Sequence, residues 1–562
     1  MGTLLEVRGE NAFRVRAYHQ VAQLLKGLPG DLSEMIADGS LAATAGIGET
    51  MLSKITQLSM TGHLPSYDEL KRSTPPGLIA LLRVPGLGPK KIKQLHDTLR
   101  IESLADLRAA CLSGRIAGTK GFGQKTEAKI LEGIDFLESV GDRILVSTAQ
   151  RLIAPVFDAV RTHPNVIRSE ICGSLRRRAE TIGDLDILFS ADDISPVLET
   201  FTNLPDVAKV LAHGPSKASI RLIDGVQCDL RGVADEQYPF ALHYFTGSKT
   251  HNIAMRKRAI ARGLKLSEYA LEGAEGPIAC RTEADLFRAL GLAEIPPELR
   301  EDGFEFPLAE SGMIPRLVDR AELTGTFHCH TNWSDGGASL EEMVEAAQIA
   351  GLRYLGIADH SRAAAYAGGL SEERVRRQWA AIDAMNDTLG DRFRVFKGTE
   401  CDIMADGSLD FPDDLLAGFD FVVASVHNGF GMDRETMTAR IVRAVRNPRV
   451  TMLGHPTGRL LLAREGYALD LDAVLQAAAE AGTMIEINAN PHRLDLDAVH
   501  ARRASQLGIT IVINPDAHTT SGYADLDYGM GVARKAGLTA EAIFNTREPG
   551  EVGRTLEQRR KR

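Results

Sequence analysis

After residue 321 the chain repeats one pattern: an apolar run of strand length that stops on a histidine or a carboxylate. The runs are "YLGIADH" ending at His360, "RVFKGTE" at Glu400, "FDFVVASVH" at His427, "VTMLGH" at His455 and "GITIVINPDAH" at Asp516 and His518. Helix-like segments alternate with them. This is the pattern of a parallel α/β barrel, which gathers its functional side chains at the C-terminal ends of its strands. The stretch "FHCHTNWSDGG" opens the series. In a strand, residues i and i+2 face the same side, so His328 and His330 point into one cavity, and Asp335 returns from the loop that follows. The set comprises nine nitrogen or oxygen donors and no thiolate, which suits zinc, manganese or iron(II). Nine donors exceed what one ion uses, so two or three ions are expected. Of the eight histidines in this half, only His492 and His500 stand outside the pattern, and they read as surface residues.

The first third has a different repeat. "TAGIGETMLSKITQL" (44–58), "VPGLGPKKIKQLHDTL" (84–99) and "TKGFGQKTEAKILEGI" (119–134) each place a Gly-apolar-Gly turn directly before a helical run. The glycine pairs are Gly46 and Gly48, Gly86 and Gly88, Gly121 and Gly123. Glycine permits a left-handed turn and close approach of a phosphate, and the amides that open the next helix face an anion. This is helix-hairpin-helix logic, which grips a DNA backbone without reading bases. Lys90 and Lys91 add charge beside the second turn. "GTKGFGQKT" is not a nucleotide loop, because Gln124 stands at the lysine position and no strand precedes it.

Between these regions, "SEICGSLRRRAETIGDLDILF" (169–189) reads as a strand, a Gly-Ser turn, a basic run and a second strand. Asp184 and Asp186 share one side of that strand, and "GVQCDLRGV" (225–233) adds Asp229. Like charges held together are costly unless a cation joins them, and three such aspartates can hold two magnesium ions for phosphoryl transfer.

"GSLRR", "GDLDIL", "CDLR" and "YFTGSKTHNIAMR" (244–256) together make residues 10 to about 300 similar to a family X DNA polymerase, the group that includes DNA polymerase beta. The resemblance implies that Asp184, Asp186 and Asp229 bind the metal ions, with Asp229 taking the primer hydroxyl proton. It implies that Ser174, Arg177 and Gly183 hold the triphosphate, with Arg143 beside them. Tyr244, Phe245 and Gly247 would lie under the sugar, and Asn252 and Arg256 on the minor-groove side of the nascent pair. Lys54 falls where such polymerases place a Schiff-base lysine for a deoxyribose-phosphate lyase; Thr50 stands where the family often has a supporting lysine. Residues 322–562 resemble the polymerase and histidinol phosphatase (PHP) domain, which implies a distorted (β/α)7 barrel that hydrolyses phosphate esters. The whole resembles bacterial family X polymerases with a C-terminal PHP domain, implying 3′-5′ exonuclease and, in some members, abasic endonuclease or 3′-phosphatase activity.

The expected architecture is helix-hairpin-helix at 1–62 (lyase-like) and 63–140 (fingers-type), a nucleotidyltransferase palm at 141–232, a thumb-type domain at 233–297, a linker at 298–321 and the barrel at 322–562. Charge does not betray a DNA-binding protein. Residues 1–321 carry 39 Lys+Arg against 41 Asp+Glu and residues 322–562 carry 26 against 34, so phosphate contacts must come from local patches and backbone amides. Six scattered cysteines without a C-x-x-C pair argue against disulfides and thiolate zinc sites. With no long apolar span or signal peptide, a monomeric cytoplasmic, nucleoid-associated protein is expected. Its partners would be gapped or primed duplex DNA and deoxynucleoside triphosphates, with Mg2+ in the palm and Mn2+ or Zn2+ in the barrel. The alternatives are a DNA-tethered phosphoesterase and a DNA-binding scaffold with little or no polymerase activity.

Overall fold

The computed structural model describes residues 1–26, 32–44, 46–301 and 303–561; Ala45 of the first glycine turn and Asp302 of the 298–321 stretch lie outside them. Two compact units divide the chain, one formed mainly by Met1–Gly141 and the other by Asp142–Asp335, Leu340–Leu461 and Glu465–Arg562.

The first unit is helical. Its three glycine turns share one geometry. Gly46, Gly86 and Gly121 have φ of 95°, 78° and 87°. Gly48, Gly88 and Gly123 then cap helices α1 (Glu49–Thr61), α2 (Pro89–Leu99) and α3 (Gln124–Val140) in extended conformation. In each copy a backbone bond closes the turn across four residues: Ile47 N–H to Thr44 O at 3.2 Å, Leu87 to Val84 at 3.1 Å and Phe122 to Thr119 at 2.9 Å. The residue between the glycines, Ile47, Leu87 or Phe122, is buried and anchors the turn to the helical core. Only glycine reaches the required φ without strain, so the repeat in sequence becomes a repeat in shape.

The second unit begins with helix α4 (Val146–Arg161) and a five-stranded mixed sheet. Its strands are β1 (Arg168–Ile171), β2 (Leu185–Ser190), β3 (Val207–His213), β4 (Lys217–Leu222) and β5 (Gln227–Val233), in the order β1-β2-β5-β4-β3. Helices α5 (Tyr238–Thr246) and α6 (Lys249–Ala261) lead into a small antiparallel sheet and a separate apolar core. The stretch 298–321, expected to be a linker, belongs to that core: Leu299, Ala309 and Leu317 are buried in it, and Glu305–Glu310 is a helix, α7. Its apolar residues are spaced by prolines and short turns, so no single period announces the packing.

Seven parallel strands follow, β6 (Gly325–Cys329), β7 (Tyr354–Ile357), β8 (Arg394–Asp402), β9 (Phe421–Ser425), β10 (Met452–Leu453), β11 (Met484–Asn488) and β12 (Ile511–Asn514), paired in sequence order. They are buried on both faces, which is why they read as continuous apolar runs. The sheet curls until β6 meets β12. There His330 N–H donates to Ala517 O at 2.8 Å, and the side chain of Asn514 accepts from Phe327 N–H at 3.1 Å. The Asn545 amide donates to Gly325 O and Ile513 O at 3.2 and 2.5 Å. Side-chain amides thus replace part of the strand ladder, which makes the (β/α)7 barrel distorted at this seam. Inside it, the Phe327 and Phe421 rings meet edge to face at 4.9 Å, and Phe544 stacks on Phe327 at 5.7 Å. Val552 and Leu556 of the last helix, Pro549–Arg560, join the same core.

Two strand glycines make room for these rings. A Cβ at Gly398 would stand 2.1 Å from the Phe421 ring, and one at Gly356 would stand 2.4 Å from Phe327. Overpacking of a closed core costs about 1–3 kcal/mol. Gly398→Ala is therefore expected to lower the melting midpoint of the barrel by several degrees in calorimetry; an unchanged profile would mean that the aromatic cluster moves aside freely.

Candidate active sites of the barrel and the palm

The barrel strands deliver all nine anticipated donors to one place. Glu400, fully buried at the end of β8, sits in the middle. Its Oε1 lies 3.2 Å from His328 Nε2, 3.1 Å from His427 Nε2 and 2.9 Å from His455 Nε2. Its Oε2 lies 3.0 Å from His360 Nδ1 and 3.6 Å from His330 Nε2. Asp516 Oδ1 closes one side, 3.3 Å from His330 Nε2 and 3.6 Å from His518 Nδ1. Asp335 closes the other, 3.5 Å from His360 Nε2 and 3.4 Å from His518 Nε2. The donors fall into overlapping groups, each compact enough for one ion: His330, Asp335, His360 and His518; His328, His330 and Glu400; His328, His455 and Asp516; His360, Glu400 and His427. His500 lies apart, paired with Asp497 at 2.6 Å.

The chemistry of this set fits divalent metal. His328 Nε2, both ring nitrogens of His330 and His360 Nδ1 are buried and, although carboxylate oxygens stand beside them, make no well-aligned hydrogen bond. Buried polar atoms are rarely left so unless an ion or water completes them. Burial pushes the Glu400 carboxyl up, but His427, His328 and His360 outweigh it and hold it well below the usual range. Burial lowers the His427 imidazole, yet Glu400 and Asp402 pull it up to about 10. His330 goes the other way, down to about 3, through burial and the neighbouring His518 and His360. A site that holds one carboxylate among five imidazoles is electrostatically arranged for cations to replace protons.

Three of the nine donors have strained backbones. His328, His455 and Asp516 have φ of 54°, 25° and 53°. Such conformations persist where surrounding structure imposes them. That structure includes acids the sequence reading passed over. Glu486, buried on β11, lies 2.6 Å from His328 Nδ1, accepts from His455 N–H at 3.0 Å and from the Asn514 amide at 2.8 Å. Asp402, on β8, lies 2.6 Å from His427 Nδ1. Asp359 accepts from Thr331 N–H at 2.9 Å and from the Gln378 amide at 2.6 Å, which fixes the loop that carries Asp335. The signal for Asp402 was its i, i+2 spacing from Glu400; for Glu486 it was an acid inside an otherwise apolar strand.

The palm aspartates also converge. β2 and β5 are parallel neighbours, and their register puts Asp186 directly opposite Asp229, with Asp184 just before β2. Burial and the charges of Asp184 and Asp229 push the Asp186 carboxyl up to about 7. Asp229 is held down despite burial, because Lys217 Nζ donates to its Oδ2 at 2.5 Å and the Gln227 amide to its Oδ1 at 3.0 Å. Neither Lys217 nor Gln227 was singled out in sequence. Gly173 has φ of 62° and lies so near that a Cβ would be 2.2 Å from Asp186 Oδ2, so the Gly-Ser turn can abut the acids only as glycine.

Around this centre, Ser174 lies in the short helix Gly173–Arg176 that follows β1. Arg177 Nη1 donates to Thr246 O at 2.5 Å, next to Gly247. Arg143 bonds the Thr181 hydroxyl at 2.8 Å, and a Cβ at Gly183 would lie 3.6 Å from its Nη1. Tyr244 stacks edge to face on Phe245 at 5.1 Å and lies under the Arg256 guanidinium at 5.2 Å; the Asn252 amide donates to Tyr244 O at 2.8 Å. In the first unit, Lys90 is exposed, Lys91 Nζ donates to Gly86 O at 3.2 Å, and Lys54 on α1 is held by the Tyr18 hydroxyl.

Partners that orient a ligating imidazole typically contribute about 10- to 100-fold in metal affinity. Glu486→Gln should lower the affinity of the full chain for divalent metal by that factor in calorimetric titration, with the fold intact by melting. Undiminished affinity would remove Glu486 from the support of the cluster.

Comparison with known proteins places several segments of the chain in known families. Family models match at residues 1–64 (helix-hairpin-helix domain), 78–135 (SAM-like helix-hairpin-helix tandem), 241–301 (DNA polymerase beta thumb) and 326–490 (PHP domain). A probable phosphatase of Thermoanaerobacter sp. (strain X514) is 30% identical over 178 residues, 30% of this chain and 70% of that protein. The crystal structure of Leishmania infantum polymerase beta in a ternary complex aligns with 41% of this chain and 100% of its own at 22% identity and a TM-score of 0.27, too loose to bear on the geometry. The DNA polymerase/3′-5′ exonuclease PolX of Bacillus subtilis (strain 168) is 37% identical over 552 residues, 98% of this chain and 96% of that protein. Both domains imply divalent metal ions, and with this coverage the chain belongs to the PolX family of DNA polymerase/3′-5′ exonucleases.

Proposed function

We propose that the palm fills short gaps in duplex DNA from deoxynucleoside triphosphates with Mg2+, and that the barrel removes nucleotides from 3′ ends with two or three Mn2+ or Zn2+ ions. The observation that carries this reading is the presence in one chain of two chemically different donor sets: three aspartates on or beside adjacent palm strands, and six imidazoles with the carboxylates of Glu400, Asp335 and Asp516. Hard oxygen-only donors favour Mg2+, and imidazole-rich donors favour the softer ions. When bound, divalent ions in such sites align the attacking oxygen with phosphorus, lower its proton affinity and neutralise charge growing on the phosphoryl group.

The chain's own residues supply the rest. Asp229 accepts the proton of the primer hydroxyl, and Lys217 and Gln227 hold its carboxylate in place for that transfer. Ser174, Arg177 and the amide of Gly183 bind triphosphate oxygens through hydroxyl, guanidinium and N–H donors. Tyr244, Phe245 and Gly247 support the sugar, and Asn252 and Arg256 reach the minor-groove edge. The glycine turns at Gly46, Gly86 and Gly121, with Lys90 and Lys91, take backbone phosphates without reading sequence.

Separation of the two activities tests the reading. Asp184→Asn with Asp186→Asn should abolish nucleotide incorporation on gapped DNA and spare degradation of 3′ ends, because positioning and electrostatics supply nearly all of the catalysis in phosphoryl transfer. Full-rate extension by the double variant would refute the palm assignment.

His330→Ala should do the reverse, slowing 3′-end hydrolysis by about a thousandfold or more while extension continues. Mn2+ should support wild-type hydrolysis at least as well as Mg2+. A folded His330→Ala protein that degrades primers at the wild-type rate would place the nuclease elsewhere.

A further inference from the structure

The palm turn that carries the triphosphate ligands is tied to the barrel by charged side chains. Arg177 Nε lies 2.9 Å from Glu301 Oε1. The same oxygen accepts from Lys535 Nζ at 2.9 Å, and Lys535 also donates to the carbonyl of Arg177 at 3.1 Å. Lys535 is the last residue of the barrel helix α8 (Leu526–Lys535). The three side chains are 15%, 26% and 12% exposed, so water screens them only in part. The arrangement repeats one residue away, where Glu298 stands 2.7 Å from Arg534 and 3.9 Å from Arg178. On the other side of the turn, Glu180 pairs with Arg459 of the barrel at 2.7 Å, and Arg459 also donates to Arg493 O at 3.0 Å.

The charges explain why a lysine is needed. Glu301 alone would form a neutral pair with Arg177 and compete with a phosphate for its guanidinium. Shared with Lys535, the carboxylate still orients Arg177, but the cluster keeps one net positive charge. A planar guanidinium binds phosphate well only when its orientation is fixed in advance.

We propose that Lys535 is a positioning residue for nucleotide incorporation: through Glu301 it orients Arg177 toward the incoming triphosphate, so that the PHP barrel supports the polymerase site independently of its own metal cluster. This rests on the reading of Arg177 as a triphosphate ligand. Steady-state incorporation on one-nucleotide-gapped DNA by the full chain tests it. Lys535→Met should raise KM for the nucleotide about fivefold, on the scale of coupling between part-buried charged neighbours, with little change in kcat. Its 3′-end hydrolysis should remain at the wild-type rate, and Lys535→Arg should restore most of the KM. In Arg177→Ala, adding Lys535→Met should raise KM no further, because the lysine acts through the arginine. If Lys535→Met fails to fold by melting, Glu301→Gln should give the same rise in KM. A wild-type KM in folded Lys535→Met, or an additive effect in the double variant, would overturn the proposal. An Arg177→Ala protein with normal KM would instead refute the triphosphate assignment itself, and the bridge with it.

Discussion

Everything in the barrel is arranged around one buried carboxylate. Glu400 is out of water and within 3.6 Å of five imidazole nitrogens. A carboxylate in such a place is tolerated only if positive charge surrounds it, and the imidazoles are tolerated only if their nitrogens find partners. The demands are mutual, so the ligands cannot be placed one at a time. β6, β8, β9 and β10 must all end at the same height, and the barrel must close so that Asp516 and His518 arrive from β12. The strained φ at His328, His455 and Asp516 shows where backbone geometry yields to that convergence.

The palm solves a related problem with fewer groups. Asp186 and Asp229 face one another through strand register, and burial together with the charges of Asp184 and Asp229 pushes the Asp186 carboxyl up to about 7. Lys217 donates its hydrogen bond to Asp229, which leaves the pair unequal. Two like charges in register and one lysine make a centre that a divalent cation completes, without any imidazole. The two centres thus differ in donor chemistry.

Much of this was legible in the chain. The nine barrel donors were readable because eight of them lie at the ends of apolar runs and Asp335 follows in the first loop, and a parallel barrel brings strand ends together whatever the details of packing. The glycine turns were readable because a left-handed φ before a helix cap admits little besides glycine. Asp184 and Asp186 were readable from strand periodicity. Lys217, Glu486 and Asp402 were not, since each acts on a residue of another element, and Gln227, though it serves Asp229 on its own strand, looks in sequence like an ordinary polar strand residue. The stretch 298–321 misled for the converse reason: prolines and short turns give it the texture of a linker, although Leu299, Ala309 and Leu317 are core.

The sequence by itself determined the types of element, the donor sets and the repeat of glycine turns, because these depend on side-chain period and on the backbone freedom of single residues. Only the tertiary structure decided which acid sits at the centre, which strands register Asp186 against Asp229, and how Arg177 comes to share Glu301 with Lys535, 358 residues away in the chain. Those outcomes depend on barrel closure and on desolvation. Both arise when distant segments exclude water together, and neither leaves a periodic mark on neighbours in the sequence.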